Sequence, residues 1–137
     1  MKKIEFSIRT KGNGDSLDIT ALVEEAVERS GLEEGLVTVF VPGSTAGVTT
    51  IEYEPGAVQD LGDAMQRIVP DDISYAHNAR WGDGNGHSHV RAAFVGPSLS
   101  IPFSSAKPLL GTWQQVVLLD FDNRARDRRL ICQLIGQ

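Results

Sequence analysis

All three histidines of the 137-residue chain lie in one segment, HNARWGDGNGHSHV, at positions 77–90. Imidazole is a common ligand of transition metals and a general acid or base near neutral pH. In a strand, His87 and His89 would point to the same face, and the intervening glycines would let the chain bring His77 back toward them. The segment therefore predicts a site in which His77, His87 and His89 bind a divalent metal ion and leave a position open for water or substrate.

Other polar side chains of the same segment extend this prediction. Asp83 can ligate the metal, orient an imidazole or act as a general base, so His77, Asp83 and His89 are the candidate catalytic groups. Asn78 and Asn85 are candidate substrate contacts. The metal could be zinc or magnesium. The alternative is a solvent-exposed loop with incidental histidines, and the spacing alone leaves both interpretations open.

A second candidate site is PGSTAGVTTIE at positions 42–52, where small residues follow an apolar run. Its backbone N–H groups and the hydroxyls of Ser44, Thr45 and Thr49 could contact an anion. Glu52 is either a buried acid or metal ligand, or a solvent-exposed residue of an ordinary turn between strands. The segment is not a P-loop, because it lacks the GK[ST] ending and a following helix.

A third candidate is KPLLGTWQQ at positions 107–115. Lys107 could contact a phosphate beside an aromatic wall formed by Trp113. The alternative is that Trp113 fills a core or a subunit interface, as tryptophan often does at a strand start. The basic run RARDRR at 124–129 is interpreted as a solvated turn without function.

Composition limits the class of protein. Hydrophobic residues make up 41% and charged residues 23% of the chain, which is typical of a single globular domain, here residues 1–137. The net charge of -5 argues against a nucleic-acid partner, which requires a clustered basic face. No run approaches the roughly 20 apolar residues of a membrane span, so no membrane partner and a cytoplasmic location are expected. The single cysteine, Cys132, lies in LICQLI and is expected in the core.

Hydrophobic periodicity indicates an α+β domain, a mostly antiparallel sheet or sandwich flanked by two or three helices. Alternating or β-branched runs predict strands at IEFSIRT, GLVTVFVP, GVTTIEYE, SLSIPF, QQVVLLDF and RRLICQLIG. One helix is predicted over DITALVEEAVERSG, capped by Asp18 or Thr20 and stopped by Gly31. A second begins at Pro55 and ends before Pro70, with Val58, Leu61, Met65 and Ile68 on one face. The stretch from Asp71 to His87 is expected to be irregular.

Five segments, in this order, resemble the YjbQ-like family: VPGSTAGVTTIEYEPG, YAHN, HSHV, GPSLSIPF and LGTWQQVVLLDFD. The LGTWQ motif is the most specific of them. The resemblance implies a compact α+β fold that assembles as a homotrimer, or a dimer of trimers, with sites near subunit boundaries. It also implies that His77 and His89 match the family's recurring histidines. The family signature is matched by Gly111, Thr112, Trp113 and Gln114, which are candidate substrate contacts.

Two positions depart from the family pattern. Many members have a histidine after the VP of the first motif, where this chain has Gly43. Many also have Asn-Gly shortly before LGTWQ, where this chain has Ser105-Ala106. If either position binds substrate or metal in relatives, its role is lost or transferred here. His87 is the candidate replacement ligand.

The family has been linked to a secondary thiamine-phosphate synthase activity, which joins a pyrimidine pyrophosphate to a thiazole phosphate and releases pyrophosphate. Such a reaction needs a divalent cation on the leaving group and donors on its oxygens. Arg91, Lys107 and the GSTAG backbone are then the candidate contacts to a small phosphorylated substrate, and Trp113 is a stacking surface. The alternatives are a metal-dependent hydrolase and a non-catalytic trimeric protein that binds a metal or small molecule.

Overall fold

The computed structural model describes residues 1–137 as eight strands and four helices. The strands are β1 (Lys2–Thr10), β2 (Asp15–Asp18), β3 (Glu34–Phe40), β4 (Ala46–Ile51), β5 (Ser98–Ser104), β6 (Lys107–Pro108), β7 (Gln115–Asp120) and β8 (Arg126–Gly136). The helices are α1 (Thr20–Ser30), α2 (Pro55–Ile68), α3 (Ala76–Trp81) and α4 (Gly86–Val95). None of the helices combines the length and the apolarity that crossing a bilayer requires.

The strands form two antiparallel sheets. The larger has the order β1-β8-β3-β5-β6, and the smaller has the order β2-β7-β4. A core of 16 buried residues lies between the sheets, with α1 packed into it through Val23, Ala26 and Val27. The expected α+β fold built on antiparallel sheets is therefore confirmed.

The smaller sheet is buried on both faces. Val116 and Leu118 of β7 point into the main core, whereas Val117 and Leu119 pack against Ala92 of α4. Such two-sided burial explains why β7 reads as a continuous apolar run rather than an alternating one. It also fixes α4, which carries two of the three histidines, against the back of this sheet.

Most predicted elements are present. The N-cap of α1 is Ile19, whose side chain makes no capping hydrogen bond, rather than the expected Asp18 or Thr20. Asp18 Oδ1 accepts hydrogen bonds from both N and Oγ1 of Thr20 at the start of α1. Gly31 ends that helix in the left-handed conformation, with φ of 69°. The Glu54 carboxylate caps α2 by accepting from the N–H groups of Gly56 and Ala57.

Three expectations were wrong. The stretch expected to be irregular contains α3 and the start of α4, because neither short helix has enough apolar periodicity to be recognised. Ile68 does not share the packed face of α2 and is 59% exposed. Strands β2 and β6 were not predicted, since each is too short to show alternation.

Candidate functional site

The histidine segment folds as two short helices joined by a glycine-rich turn. Gly82 ends α3 in the left-handed conformation, with φ of 65°. Asn78 Oδ1 accepts the N–H of Gly86 at 2.8 Å and so ties α3 to the first residue of α4. A Cβ on Gly86 would lie 2.5 Å from Tyr75 Cβ, so only glycine permits this approach of the two helices.

This turn brings His77, Asp83 and His89 together. His77 Nε2 lies 3.0 Å from Asp83 Oδ1, and the His77 and His89 ring centroids are 4.5 Å apart. One ligand atom from each of the three residues lies within 4.8 Å of the other two. The group is half-open to solvent, since the side chains of His77 and Asp83 are 32% and 44% exposed.

His89 is oriented by the loop that precedes β4. Its Nδ1 lies 3.1 Å from the Ser44 carbonyl oxygen, which can only accept, so Nδ1 must carry the proton of this hydrogen bond. The neutral ring then keeps the lone pair on Nε2, the nitrogen free to bind a metal. A metal-ligating histidine commonly donates its other ring N–H to an acceptor such as a backbone carbonyl oxygen, which fixes the orientation of the ring.

Asp83 is held in its ionised form. The hydrogen bond with His77 and that from the Asn85 backbone N–H lower the pKa of the Asp83 carboxyl below its usual value. The carboxylate is thus available as an anionic ligand or proton acceptor under mildly acidic conditions as well as at neutral pH.

The structure does not bring His87 to this group. The expectation that His87 and His89 share a face holds for a strand, but in helix α4 two residues differ by about 200° in direction. His87 is only 8% exposed and lies beside Tyr75, with ring centroids 6.4 Å apart. Burial, followed by the positive charge of Arg91, lowers its pKa. His87 is therefore a packed, predominantly neutral imidazole, and it does not replace a ligand missing at position 43.

A buried polar network lies beneath the site and fixes its supporting segments. Asp120 and Asp122 are fully buried. Arg128 donates from Nε to Asp120 Oδ2 at 2.7 Å and from Nη2 to Asp120 Oδ1 at 2.8 Å. Asp122 accepts from Arg126 Nε at 3.0 Å and from the Thr45 hydroxyl at 2.9 Å. Every buried side-chain polar atom of the protein has a partner, so no buried atom of the network is left unsatisfied.

The network reaches the site through Asn85 and Asn123. Asn85 Oδ1 accepts from the Asn123 N–H at 3.0 Å and from the Ser88 hydroxyl at 2.9 Å. Asn123 Nδ2 donates to the Asp83 carbonyl oxygen at 2.7 Å. The turn that carries Asp83 is thereby anchored to the end of β7.

Four of the candidate substrate contacts are committed to such internal bonds. Thr45 and Asn85 belong to the buried network, and Asn78 bridges α3 and α4. Arg91 is 8% exposed and donates to the Val69 carbonyl oxygen and to Gln66 Oε1, which ties α4 to the end of α2. The structure thus gives the side chains of these four residues positioning roles rather than a surface that faces a ligand.

Glu52, Thr112 and Trp113 line a separate groove. Trp113 is 73% exposed and fills no core. The groove lies at the Ile51 end of β4, whereas Ser44 precedes the other end of this strand. Because β4 spans five residue steps, the two ends are about 17 Å apart.

The LGTWQ turn is held to β4 by its own glutamines. Gln114 Oε1 accepts the Gly111 N–H at 3.0 Å, and its Nε2 donates to the Thr50 hydroxyl at 3.3 Å. Thr49 lies half-buried in the middle of β4. Gln114 is therefore a structural residue of the turn that presents Trp113.

Lys107 lies in a groove with Glu24 and Glu28, and none of the histidines lines this groove. The preceding Ser105 and Ala106 both have positive φ, 52° and 56°, and connect the Ser104–Lys107 pair of a two-residue hairpin. Asn-Gly is the preferred sequence for such a turn. The turn conformation thus accounts for Asn-Gly at these positions without a ligand role, and nothing in the structure explains the change to Ser105-Ala106.

Two contributors to the site were missed by sequence reasoning. The Ser44 carbonyl oxygen, rather than its hydroxyl, contacts His89, and a carbonyl carries no sequence signal. Arg128 was interpreted as a surface charge but is 8% exposed. The available signal was the pair of aspartates in VVLLDFD: carboxylates ending a buried strand need a buried cation.

Comparisons with known proteins agree with the fold. The family described as "UPF0047 protein YjbQ-like" matches residues 4–137. A UPF0047 protein of Mycobacterium bovis is 47% identical over 100 residues, which cover 72% of this chain and 77% of the relative. A UPF0047 protein of Methanothermobacter thermautotrophicus is 34% identical over 133 residues, covering 97% of this chain and 91% of the relative.

Solved structures show the same architecture. A hypothetical protein from Aeropyrum pernix superposes with a TM-score of 0.92 at 30% identity, covering 100% of both chains. A conserved YjbQ/UPF0047 protein of Clostridium acetobutylicum gives a TM-score of 0.88 at 34% identity, covering 96% of this chain and 99% of its own. A YbjQ-like protein of unknown function from Sulfolobus solfataricus gives 0.90 at 30% identity, covering 99% of both. The chain belongs to the YjbQ/UPF0047 family.

Proposed function

We propose that this protein is a divalent-metal enzyme acting on a small phosphorylated substrate, with His77, Asp83 and His89 as its centre. The observation that carries the proposal is the convergence of two imidazoles and one carboxylate, with ligand atoms within 4.8 Å of one another. Two histidines and one carboxylate are a donor set of catalytic metal sites, which leave a position open for water or substrate.

The spacing of the donors fits a metal ion. Ligands 2.0–2.1 Å from a tetrahedral centre are separated from one another by about 3.3 Å. His77 Nε2 and Asp83 Oδ1 are 3.0 Å apart, so small side-chain rotations would give this geometry. Imidazole nitrogens suit zinc, whereas magnesium prefers oxygen ligands, so zinc is the favoured ion.

Each residue has a role that its contacts support. The Ser44 carbonyl oxygen holds His89 in the tautomer that leaves the Nε2 lone pair free. The Asp83 carboxylate supplies the negative charge, and its depressed pKa keeps it ionised. A bound ion would polarise a phosphate oxygen or lower the pKa of a bound water. The partial exposure of His77 and Asp83 leaves room for a ligand on the solvent side.

The synthase reaction is the leading candidate, on the family resemblance: a pyrimidine pyrophosphate joined to a thiazole phosphate with release of pyrophosphate. The runner-up is a metal-dependent hydrolase, in which water takes the place of the second substrate. The open face of the group favours both equally, and the choice depends on which second reactant is accepted. A third possibility is a metal-binding protein without turnover.

The metal site is tested by equilibrium dialysis with zinc, followed by elemental analysis. The wild type should bind one zinc per chain, and His89→Ala should bind none at the same concentration. His87→Gln is the matched control, because its ring lies outside the group, and should bind as the wild type does. Equal zinc in the wild type and in His89→Ala would overturn the proposed centre.

The reaction is tested with the two precursors and each divalent ion in turn. Thiamine phosphate formation by the wild type, lost in His77→Ala, would support the synthase. Phosphate release from the pyrimidine pyrophosphate alone would support the hydrolase. Zinc binding without either product would support the third possibility, a metal-binding protein without turnover.

A homotrimer is proposed as the working form. The outer face of the larger sheet is uncovered, and Leu36 and Phe40 of β3 lie opposite Ile135 and Ile131 of β8 there. This apolar surface is typical of a subunit contact. A neighbouring copy could also bring its exposed Trp113 to the histidines, because within one chain the groove of Trp113 lies at the Ile51 end of β4 and His89 contacts Ser44, which precedes the other end.

Light scattering in solution tests this assembly. The wild type should have three times the mass of one chain, and Leu36→Glu should shift the population to monomers. Leu109→Glu, which also replaces an exposed leucine but lies on a loop, serves as the matched control. A monomeric wild type would contradict the trimer.

A further inference from the structure

The loop from Gly43 to Thr45, between β3 and β4, leaves three consecutive backbone donors free. No backbone or side-chain oxygen of the protein accepts the N–H of Gly43, Ser44 or Thr45. Thr45 uses its carbonyl oxygen and its hydroxyl internally, yet its N–H has no partner. Consecutive free N–H groups of this kind form concave binding sites for anions.

Arg128 adds a side-chain donor to this loop. The residue is 8% exposed, and its Nε and Nη2 are bonded to Asp120 and Thr45. Its remaining nitrogen, Nη1, donates to no oxygen of the protein. That nitrogen is not wholly enclosed, because no fully buried side-chain nitrogen lacks a partner.

Gly43 leaves the space in front of this nitrogen open. A Cβ built on Gly43 would lie 2.9 Å from Arg128 Nη1, and φ at this residue is +124°. Any other residue would be strained there and would crowd the guanidinium. The glycine therefore exposes a buried arginine nitrogen that a side chain would cover.

The loop also adjoins the histidine group. Ser44 accepts the hydrogen bond of His89, and Gly43, Ser44 and His89 line one cavity of about 270 Å³ together with Ala46, Ala92 and Pro97. The cavity has room for a phosphate group next to the loop, and Thr45 and Arg128 adjoin Gly43 and Ser44 without lining the cavity themselves. No acidic residue lines it.

We infer that the N–H groups of Gly43, Ser44 and Thr45 and Arg128 Nη1 bind a phosphate group beside the metal centre. Consecutive backbone N–H groups and an arginine nitrogen are donors suited to a phosphate oxygen, and the Arg126 and Arg128 charges balance those of Asp120 and Asp122 beneath the loop. The inference deepens the proposed function, since it assigns the phosphate of the substrate to this loop. Binding of inorganic phosphate itself requires no metal.

The direct test is titration of the metal-free, ¹⁵N-labelled protein with inorganic phosphate, followed by NMR. The amide signals of Gly43, Ser44 and Thr45 and the guanidinium signal of Arg128 should shift together with one dissociation constant. Shifts elsewhere with none in the loop would overturn the inference. Because this test uses the wild type, it does not depend on the folding of a variant.

Two glycine variants test the geometry. Gly43→Ala should weaken phosphate binding by about tenfold or more, the loss expected for about 1.4 kcal/mol of donor contact. Gly62→Ala is the matched control, because a Cβ at that helical glycine meets nothing within 4 Å, and should bind phosphate normally. Equal affinities in the two variants would contradict the inference.

The two proposals fail separately. His77→Ala should lose zinc but retain the phosphate-induced shifts in the metal-free protein, because His77 does not line the cavity and does not contact the loop. Phosphate binding without zinc binding would sustain the loop site and refute the metal centre. Zinc binding without shifts of the loop amide signals would support the metal centre and refute the loop site.

Discussion

Two polar clusters of the protein are linked through Asn85 and Asn123, and they differ in burial and in hydrogen bonding. In the Asp120–Asp122–Arg128 network, each carboxylate is fully buried and multiply bonded. In the His77–Asp83–His89 group, the side chains are partly exposed, and His89 Nε2 is bonded to nothing in the protein. The carboxylates of the first cluster have used their hydrogen-bonding capacity and only Arg128 Nη1 is left free there, whereas the second cluster has kept an unbonded imidazole nitrogen.

The contrast separates residues that hold a site from residues that can act in it. Buried charges must be paired, because an unpaired charge in the interior carries a large desolvation penalty. A ligand site needs the reverse condition, donors or acceptors held in place without a partner. Thr45 and Asn85 appear in polar motifs and are expected from the sequence to contact substrate, yet their side chains belong to the buried cluster.

The largest effect is expected from breaking the buried network. Asp120→Asn leaves Arg128 buried without its carboxylate and should lower the free energy of unfolding by about 3–5 kcal/mol. Urea denaturation followed by circular dichroism measures the change. Asp127→Asn, which alters an exposed ion pair with Arg9, should cost about 0.5 kcal/mol or less. Similar losses of unfolding free energy in the two variants would mean that burial does not make the Asp120 ion pair more important than the exposed one.

The second effect concerns the open group. His89→Ala should weaken zinc binding by more than about 100-fold, since even residues behind a ligand contribute 10–100-fold. The free energy of unfolding of the metal-free protein should change little, because His89 is only partly buried. Competition with a zinc-sensitive dye measures the affinity. A large loss of stability in His89→Ala would show that this group is structural too.

The third variant should change stability and leave zinc binding unchanged, which is the reverse of His89→Ala. Replacing Ser105-Ala106 by Asn-Gly should raise the free energy of unfolding by about 1–2 kcal/mol, because both residues sit in the left-handed region. Zinc affinity should stay unchanged. A change in zinc affinity would contradict the assignment of this turn to backbone conformation alone.

The smallest effect is a pH dependence of stability that comes from the buried His87. Burial lowers the pKa of His87 in the folded protein, so the unfolded chain binds the proton more readily. Stability is therefore complete above the unfolded value near 6.5 and falls as the pH drops below it. His87→Gln should lose this decline between pH 7 and pH 5, as measured by urea denaturation.

The carboxylates contribute in a different window. The folded pKa of Asp122 is lowered, despite burial, by Arg126 and Thr45, so its contribution is lost only as the pH falls below about 4. A decline between pH 7 and pH 5 that persists in His87→Gln would therefore point to another group. The two windows allow the histidine and the buried network to be followed in one experiment.

Local patterns were sufficient for most of the fold. Alternation identified β1, β3, β5 and β8, and capping residues placed α1 and α2. These signals depend on residues that are close in the chain, so they can be recognised without knowledge of the tertiary structure. The segment around α3 and α4 gave no such signal, because its glycines and polar residues conceal two short helices.

The sequence by itself determined that His77, Asp83 and His89 share a compact segment, and that the chain forms an antiparallel α+β domain. Only the tertiary structure decided which imidazoles meet, because a change from strand to helix turns His87 away from His89 and into the interior. It also decided that Arg128 is buried, since its partners Asp120 and Thr45 are 8 and 83 positions away. Contacts of that range depend on how the two sheets pack, which no local pattern records.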